Sequence, residues 1–138
     1  MSLNDTISKA IKKDTPSVAL EDTLETAIRR MVDEDCTALA VQSNDELIGI
    51  VTDMDIMDSI KRNGLTGKVK VADFMVRCEL ITEKWTKSPC VQLDEDESVE
   101  NALKLMAGAG VHHLLVSGAN KKTIGIVSSQ ALLGLVLA

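Results

Sequence analysis

Few side chains in this sequence are equipped for chemistry, and they fall in a handful of places. Thr52 and Asp55 set a hydroxyl and a carboxylate three residues apart in Gly49-Ile50-Val51-Thr52-Asp53-Met54-Asp55, where an apolar run gives way to a helical pattern. That spacing suits a capping box, with Thr52 as N-cap and Asp55 reaching back to the Thr52 N–H. The free N–H groups of such a helix start can also face an anion. His112 and His113 are the only histidines. An imidazole can donate to a phosphate, and adjacent residues on a strand point to opposite faces, so one can reach a ligand while the other packs. Cys78, Cys90, His112 and His113 are ligand types that zinc accepts, but their spacing is that of neither finger nor ribbon, so no metal is expected. For Cys36 and Cys90 a buried, inert thiol is the default. There is no nucleophile–base–orienter set and no P-loop, and Asp55 alone does not make an acid–base pair, so the chain reads as no enzyme.

The elements that hold these residues come in two copies. Leu24-Glu25-Thr26-Ala27-Ile28-Arg29-Arg30-Met31 and Val99-Glu100-Asn101-Ala102-Leu103-Lys104-Leu105-Met106 both put apolar residues at i, i+3, i+4 and i+7, the stripe of an amphipathic helix. Thr23 and Ser98 precede them as N-caps. Ala38-Leu39-Ala40-Val41 then corresponds to His113-Leu114-Leu115-Val116, and Leu47-Ile48-Gly49-Ile50-Val51-Thr52 to Thr123-Ile124-Gly125-Ile126-Val127-Ser128. Each pair of runs flanks a polar turn and reads as a hairpin. A further helix closes each copy, from Asp53 to about Arg62 and from Ser129 to about Leu137. Asn63-Gly64 ends the first, with Gly64 in the left-handed C-cap conformation. The unit is strand, helix, strand, strand, helix, and it is too small to hold an independent core. The expected fold class is α/β (α+β), with residues 1–66 as first repeat and lead-in and 67–138 as second repeat.

Bulk properties agree with a small globular module. The chain has 138 residues, 45% hydrophobic, with Phe74 and Trp85 as its only aromatics, so the core must be aliphatic. A net charge of -6 with no basic block argues against nucleic acid, and no apolar run reaches membrane-spanning length. The N-terminus lacks signal-peptide features, and three cysteines without a scaffold pattern suit a reducing compartment, so a cytoplasmic location is expected.

Three motifs, in order and in tandem, resemble the cystathionine-β-synthase (CBS) domain family. Gly49 to Asp55 resembles its closing G-h-x-[ST]-x-x-D signature, Val71-Ala72-Asp73-Phe74-Met75 its V-x-D-h-M lead-in, and Val111-His112-His113-Leu114-Leu115-Val116 its V-H-R-L-x-V strand entry. The likeness spans roughly residues 7–137. It implies a Bateman module: two βαββα repeats about a pseudo-twofold axis, a regulatory unit binding an adenine nucleotide in the cleft between them. AMP, ADP or ATP come ahead of S-adenosylmethionine or NAD. By the same resemblance, Asp55 accepts from the ribose hydroxyls, Thr52, Asp53 and the first helical turn face phosphate, and His112 or His113 adds a donor. Thr15, Ser17 and Val18 border the adenine pocket, lined further by Ala38, Leu39 and Ala40. Ordinary strand packing explains Val18 and Leu39 equally well.

The second copy departs from the motif. Val127-Ser128-Ser129-Gln130-Ala131 keeps the hydroxyl but has Ala131 where the Asp belongs, so Ser128 and Leu114 mark a weaker second cleft. Residues 76–89 read as an insertion, and Trp85 within it as a lid, an anchor or a loop pin. Ala131 to Ala138 is apolar all round and should be buried, one face against a second chain. A homodimer through Met54, Met57, Leu133 and Val136 is expected, with a separate effector protein as partner. The competing function is a ligand-free dimerisation or docking module.

Overall fold

The computed structural model describes residues 2–12, 14–77, 79–80, 91–118 and 122–137. Trp85 and Cys90, most of the stretch read as an insertion, and Cys78 lie outside them. The chain divides into two units, one of residues 15–77 and one of residues 1–14 with 78–138.

In the unit of residues 15–77, β1 (Ser17–Ala19) leads into helix α1 (Leu24–Asp33), hairpin β2 (Ala38–Ser43) and β3 (Glu46–Thr52), and helix α2 (Asp53–Asn63). A short helix α3 (Val71–Phe74) and strand β4 (Val76–Arg77) complete it. The sheet order is β1-β2-β3-β4. β1 and β2 are parallel, which requires a crossover, and α1 supplies it. β2 and β3 are antiparallel and joined by Asn44 and Asp45, both at positive φ, the backbone that a tight two-residue hairpin demands. The Thr23 hydroxyl caps α1 by accepting from the Thr26 N–H at 3.2 Å. The core packs Val18, Leu39, Val41 and Val51 of the sheet against Leu24, Ala27 and Met31 of α1, Ile56 of α2 and Val71 of α3. Gly64 follows α2 at φ 69 and ψ -163, so its backbone is extended at positive φ rather than in the expected left-handed helical region.

The other unit repeats this plan. β5 (Glu79–Leu80), β6 (Val91–Asp94), β7 (His113–Ser117) and β8 (Thr123–Ser128) form its sheet in that order, with helices α4 (Val99–Ala109) and α5 (Ser129–Leu137). The β7–β8 ladder breaks register between Val116 and Ser117, as β2–β3 does between Val41 and Gln42. Ser98 caps α4 at 3.1 Å from the Asn101 N–H, and α4 ends on Gly110 at left-handed φ 71, ψ 32. Leu93, Val99, Ala102, Met106, Leu114, Val116, Val127 and Leu132 are buried here.

Each unit takes in the lead-in of the other repeat. Residues 67–77 pack with the first repeat. The Leu24 N–H, left over at the start of α1, donates to the Val69 carbonyl at 2.9 Å, and the Lys70 ammonium sits 2.9 Å from the Glu21 carboxylate, which raises its pKa. Residues 1–14 pack with the second repeat. There the Val99 N–H donates to the Asp5 carbonyl at 2.9 Å and the Glu100 N–H to that of Leu3 at 3.0 Å.

Candidate functional site

Thr52 ends β3 and caps α2, and the capping box expected there is complete. The Asp55 N–H donates to the Thr52 hydroxyl at 3.3 Å. In return the Asp55 carboxylate accepts from the Thr52 N–H at 2.9 Å and the Thr52 hydroxyl at 3.1 Å. Both of these bonds use Oδ2, so Oδ1 keeps its lone pairs available on a half-buried side chain. Asp53 is exposed; its N–H donates to the Thr37 carbonyl at 3.1 Å and its Oδ1 accepts from the Met54 N–H at 2.9 Å. The site therefore combines an acceptor anchored at the helix start with the positive end of the α2 dipole.

The residues expected around an adenine ring gather on β1 and β2 of the same unit. Ser17 pairs with Ala40, and Ala38 pairs with Thr52, which sets Ala38 beside the capping box. The Ala40 N–H donates to the Pro16 carbonyl at 3.0 Å, and the Ser17 hydroxyl to the Gln42 side chain at 3.4 Å. Thr15 is half-buried just before β1. Strand alternation then divides the set. Val18 and Leu39 are committed to the core beneath the helices, whereas Ala38 and Ala40 lie on the opposite face of β2. Packing thus accounts for Val18 and Leu39, and only the two alanines present small side chains on the other face.

His112, His113, Leu114 and Ser128 belong to the other unit. His113 opens β7 opposite Ser128, half-buried, with its Nδ1 shielded from solvent. His112 is exposed; its carbonyl accepts from the Ser129 N–H at 2.8 Å and its Nδ1 lies 3.3 Å from the Ser129 hydroxyl. The Ser128 hydroxyl accepts from the Ala131 N–H at 3.1 Å, so the cap survives, but no carboxylate stands where Asp55 stands in the first repeat. Leu114 is 1% exposed and lies in the core. At the positions matching Ala38 and Ala40 the second repeat carries His113 and Leu115, both far larger. Among the described residues no three His, Cys, Asp or Glu side chains are grouped to hold a metal ion; Cys78 and Cys90 are outside them. No described helix is long and apolar enough to cross a membrane.

Residues 4–62 and 71–138 each match the model of the CBS domain. An uncharacterized protein of Methanopyrus kandleri is 30% identical over 97 residues, covering 70% of this chain and 44% of the relative. A homoserine O-acetyltransferase of Methanosalsum zhilinae is 30% identical over 128 residues, covering 92% of this chain and 23% of that enzyme. The chain thus spans less than half the length of these curated relatives. Among solved structures, an uncharacterized conserved protein from Pyrococcus horikoshii aligns with a TM-score of 0.80 at 24% identity, covering 100% of this chain and 96% of that one. A protein with CBS domains from Burkholderia ambifaria gives 0.75 at 25% identity, covering 95% and 90%. Three structures of the same fold, at 16% to 20% identity, are complexes: CBSX2 with AMP, the CBS domain of a bacterial CNNM/CorC-family Mg2+ transporter with ATP, and a CBS domain pair with 5'-methylthioadenosine and S-adenosyl-L-methionine.

Proposed function

The chain belongs to the CBS-domain family, and from that membership we propose that it is a regulatory module that binds an adenine nucleotide and relays its occupancy to a partner protein. The observation that carries this reading is the division of labour on Asp55. One carboxylate oxygen is spent on the helix start, and the other is held in a fixed orientation with nothing to accept from among the described residues. A ribose supplies two hydroxyl donors to such an acceptor, and the phosphate meets the N–H groups of the first turn of α2. Ala38 and Ala40 put small side chains on the adjoining strand face, against which a flat base would lie. AMP, ADP and ATP are the leading ligands. S-adenosylmethionine and NAD share the adenosine half and are the controls that define which group beyond the ribose is recognised.

The partner is proposed to be first of all a second copy of the chain. Met54 and Met57 on α2 are 65% and 52% exposed, and Leu133 on α5 is 54% exposed, so each of these helices turns apolar surface outward. The same surface favours the competing reading, a CBS pair that dimerises or docks without a ligand. A melting-temperature screen with AMP, ADP, ATP, S-adenosylmethionine and NAD separates the two. A rise with at least one adenosine compound that Asp55→Ala abolishes supports nucleotide sensing. No shift with any of the five leaves the docking reading.

A further inference from the structure

We infer that Asp53 sets the charge preference of the proposed nucleotide site, so that affinity falls with each phosphate added: AMP ahead of ADP, and ADP ahead of ATP. This rests on the nucleotide reading and specifies which adenosine compounds the site favours. A helix start leaves four backbone N–H groups without an intrahelical carbonyl, and these are the donors a phosphate can use. In α2 they belong to Thr52, Asp53, Met54 and Asp55, and each already has an acceptor. The Thr52 N–H donates to the Asp55 carboxylate and the Asp55 N–H to the Thr52 hydroxyl, which itself donates to Asp55 at 3.1 Å. The Asp53 N–H donates to the Thr37 carbonyl. Only the Met54 N–H is held by an exposed side chain that can swing away, the Asp53 carboxylate at 2.9 Å.

A phosphate oxygen that takes the Met54 N–H must therefore displace Asp53. The displaced carboxylate stays tethered one residue away, as a like charge beside the phosphate. Nothing basic on the same helix offsets it there: Asp53 and Asp55 lie in the first turn of α2, against the positive end of its dipole, and Lys61 and Arg62 lie in the last. Nor does the fold demand a carboxylate at this position. In the second repeat Ser129 stands there, its N–H donates to the His112 carbonyl at 2.8 Å as that of Asp53 does to Thr37, and the first turn of α5 carries no acid. The Asp53 carboxylate is thus an addition to a shared frame, and it acts on the charge that a ligand brings against it.

Calorimetric titration of adenosine, AMP, ADP and ATP, without divalent cations, into the full native chain and into Asp53→Ser and Asp53→Asn tests this. Native affinity should fall roughly threefold or more from AMP to ADP and again from ADP to ATP. Asp53→Ser gives the first repeat the residue that the second carries, and should raise ATP affinity roughly tenfold, AMP affinity less, and adenosine affinity not at all. Asp53→Asn keeps an acceptor for the Met54 N–H but removes the charge, and should also narrow the gap between AMP and ATP. A native chain that binds ATP as tightly as AMP, or a gap unchanged in both variants, overturns the inference and leaves the nucleotide proposal standing. So does a gain in Asp53→Ser that is equal for adenosine and ATP, since it would not act through phosphate charge. Failure of all these compounds to bind the native chain overturns the nucleotide proposal, and this inference with it.

Discussion

At Asp55 one carboxylate oxygen holds the start of α2 and the other is left over, and two substitutions pull these roles apart. Asp55→Asn keeps an oxygen for the Thr52 N–H but turns a donor, not an acceptor, toward a ribose. We expect it to cost under about 0.5 kcal/mol in urea unfolding and to lower AMP affinity roughly tenfold by calorimetry. Asp55→Ala also loses the two bonds from Thr52 while leaving the Thr52 cap in place, for about 1 kcal/mol of stability, and a tenfold to hundredfold loss of affinity is expected because hydrogen bonds to a charged acceptor are worth about 1.5–3 kcal/mol each. Equal affinity for both variants and the native chain would remove Asp55 from the site. The Thr52–Asp55 pair was legible in the sequence because a capping box is a local spacing of residue types. The separate fates of Leu39 and its alanine neighbours were not. β2 is buried on both faces from Ala38 to Val41, and a doubly buried strand reads as one unbroken apolar run, which hides which face is which.

Helices and hairpins were legible too, since each carries its own periodicity, cap or turn residues; the lead-in segments ahead of the two repeats were not. Ile7 to Lys12 shares with Val71 to Val76 only apolar residues spaced four apart, and strands of one or two residues are below any periodic signal. What the sequence lacked in pattern the structure supplies in burial: Ile7→Ala should cost about 2–5 kcal/mol in urea unfolding although it lies outside every strand and α-helix. An effect under about 0.5 kcal/mol would mean that this lead-in is dispensable. Of the largely apolar helix α5 only Leu132 is fully buried within the chain, and Leu133 and Leu137 are 54% and 79% exposed, on surface that was expected to meet a second chain. If a second chain covers them, Leu133→Lys and Met57→Lys should each lower the dimer fraction at roughly tens of micromolar in sedimentation, because a lysine in an apolar contact must be desolvated. A native chain that sediments as a monomer would refute the dimer outright.

Across the whole molecule the repeat of sequence is also a repeat of structure, down to the shared break in each hairpin ladder, but its chemistry is not repeated. We expect close to one nucleotide per chain. At the start of α5 the Ser128 hydroxyl is already taken up by the Ala131 N–H, and the position that Asp55 fills in the first repeat is a methyl group. A ribose there would give up hydrogen bonds to water and regain none from that position, and each unpaired hydroxyl costs about 1–3 kcal/mol on burial. Two such losses move a micromolar site toward the millimolar range. The base would fare no better, since His113 and Leu115 take the place of Ala38 and Ala40 on the corresponding strand. Gln130, exposed in the first turn of α5, is the side chain best placed in sequence to substitute for the missing carboxylate. Gln130→Ala should therefore leave both affinity and stoichiometry unchanged. Calorimetric titration of AMP into the native chain is expected to give a molar ratio near one, with the affinity roughly tenfold to hundredfold lower in Asp55→Ala. Two equivalent sites per chain, of which Asp55→Ala removes one and Gln130→Ala the other, would show that the second repeat has rebuilt a ribose contact from a different side chain.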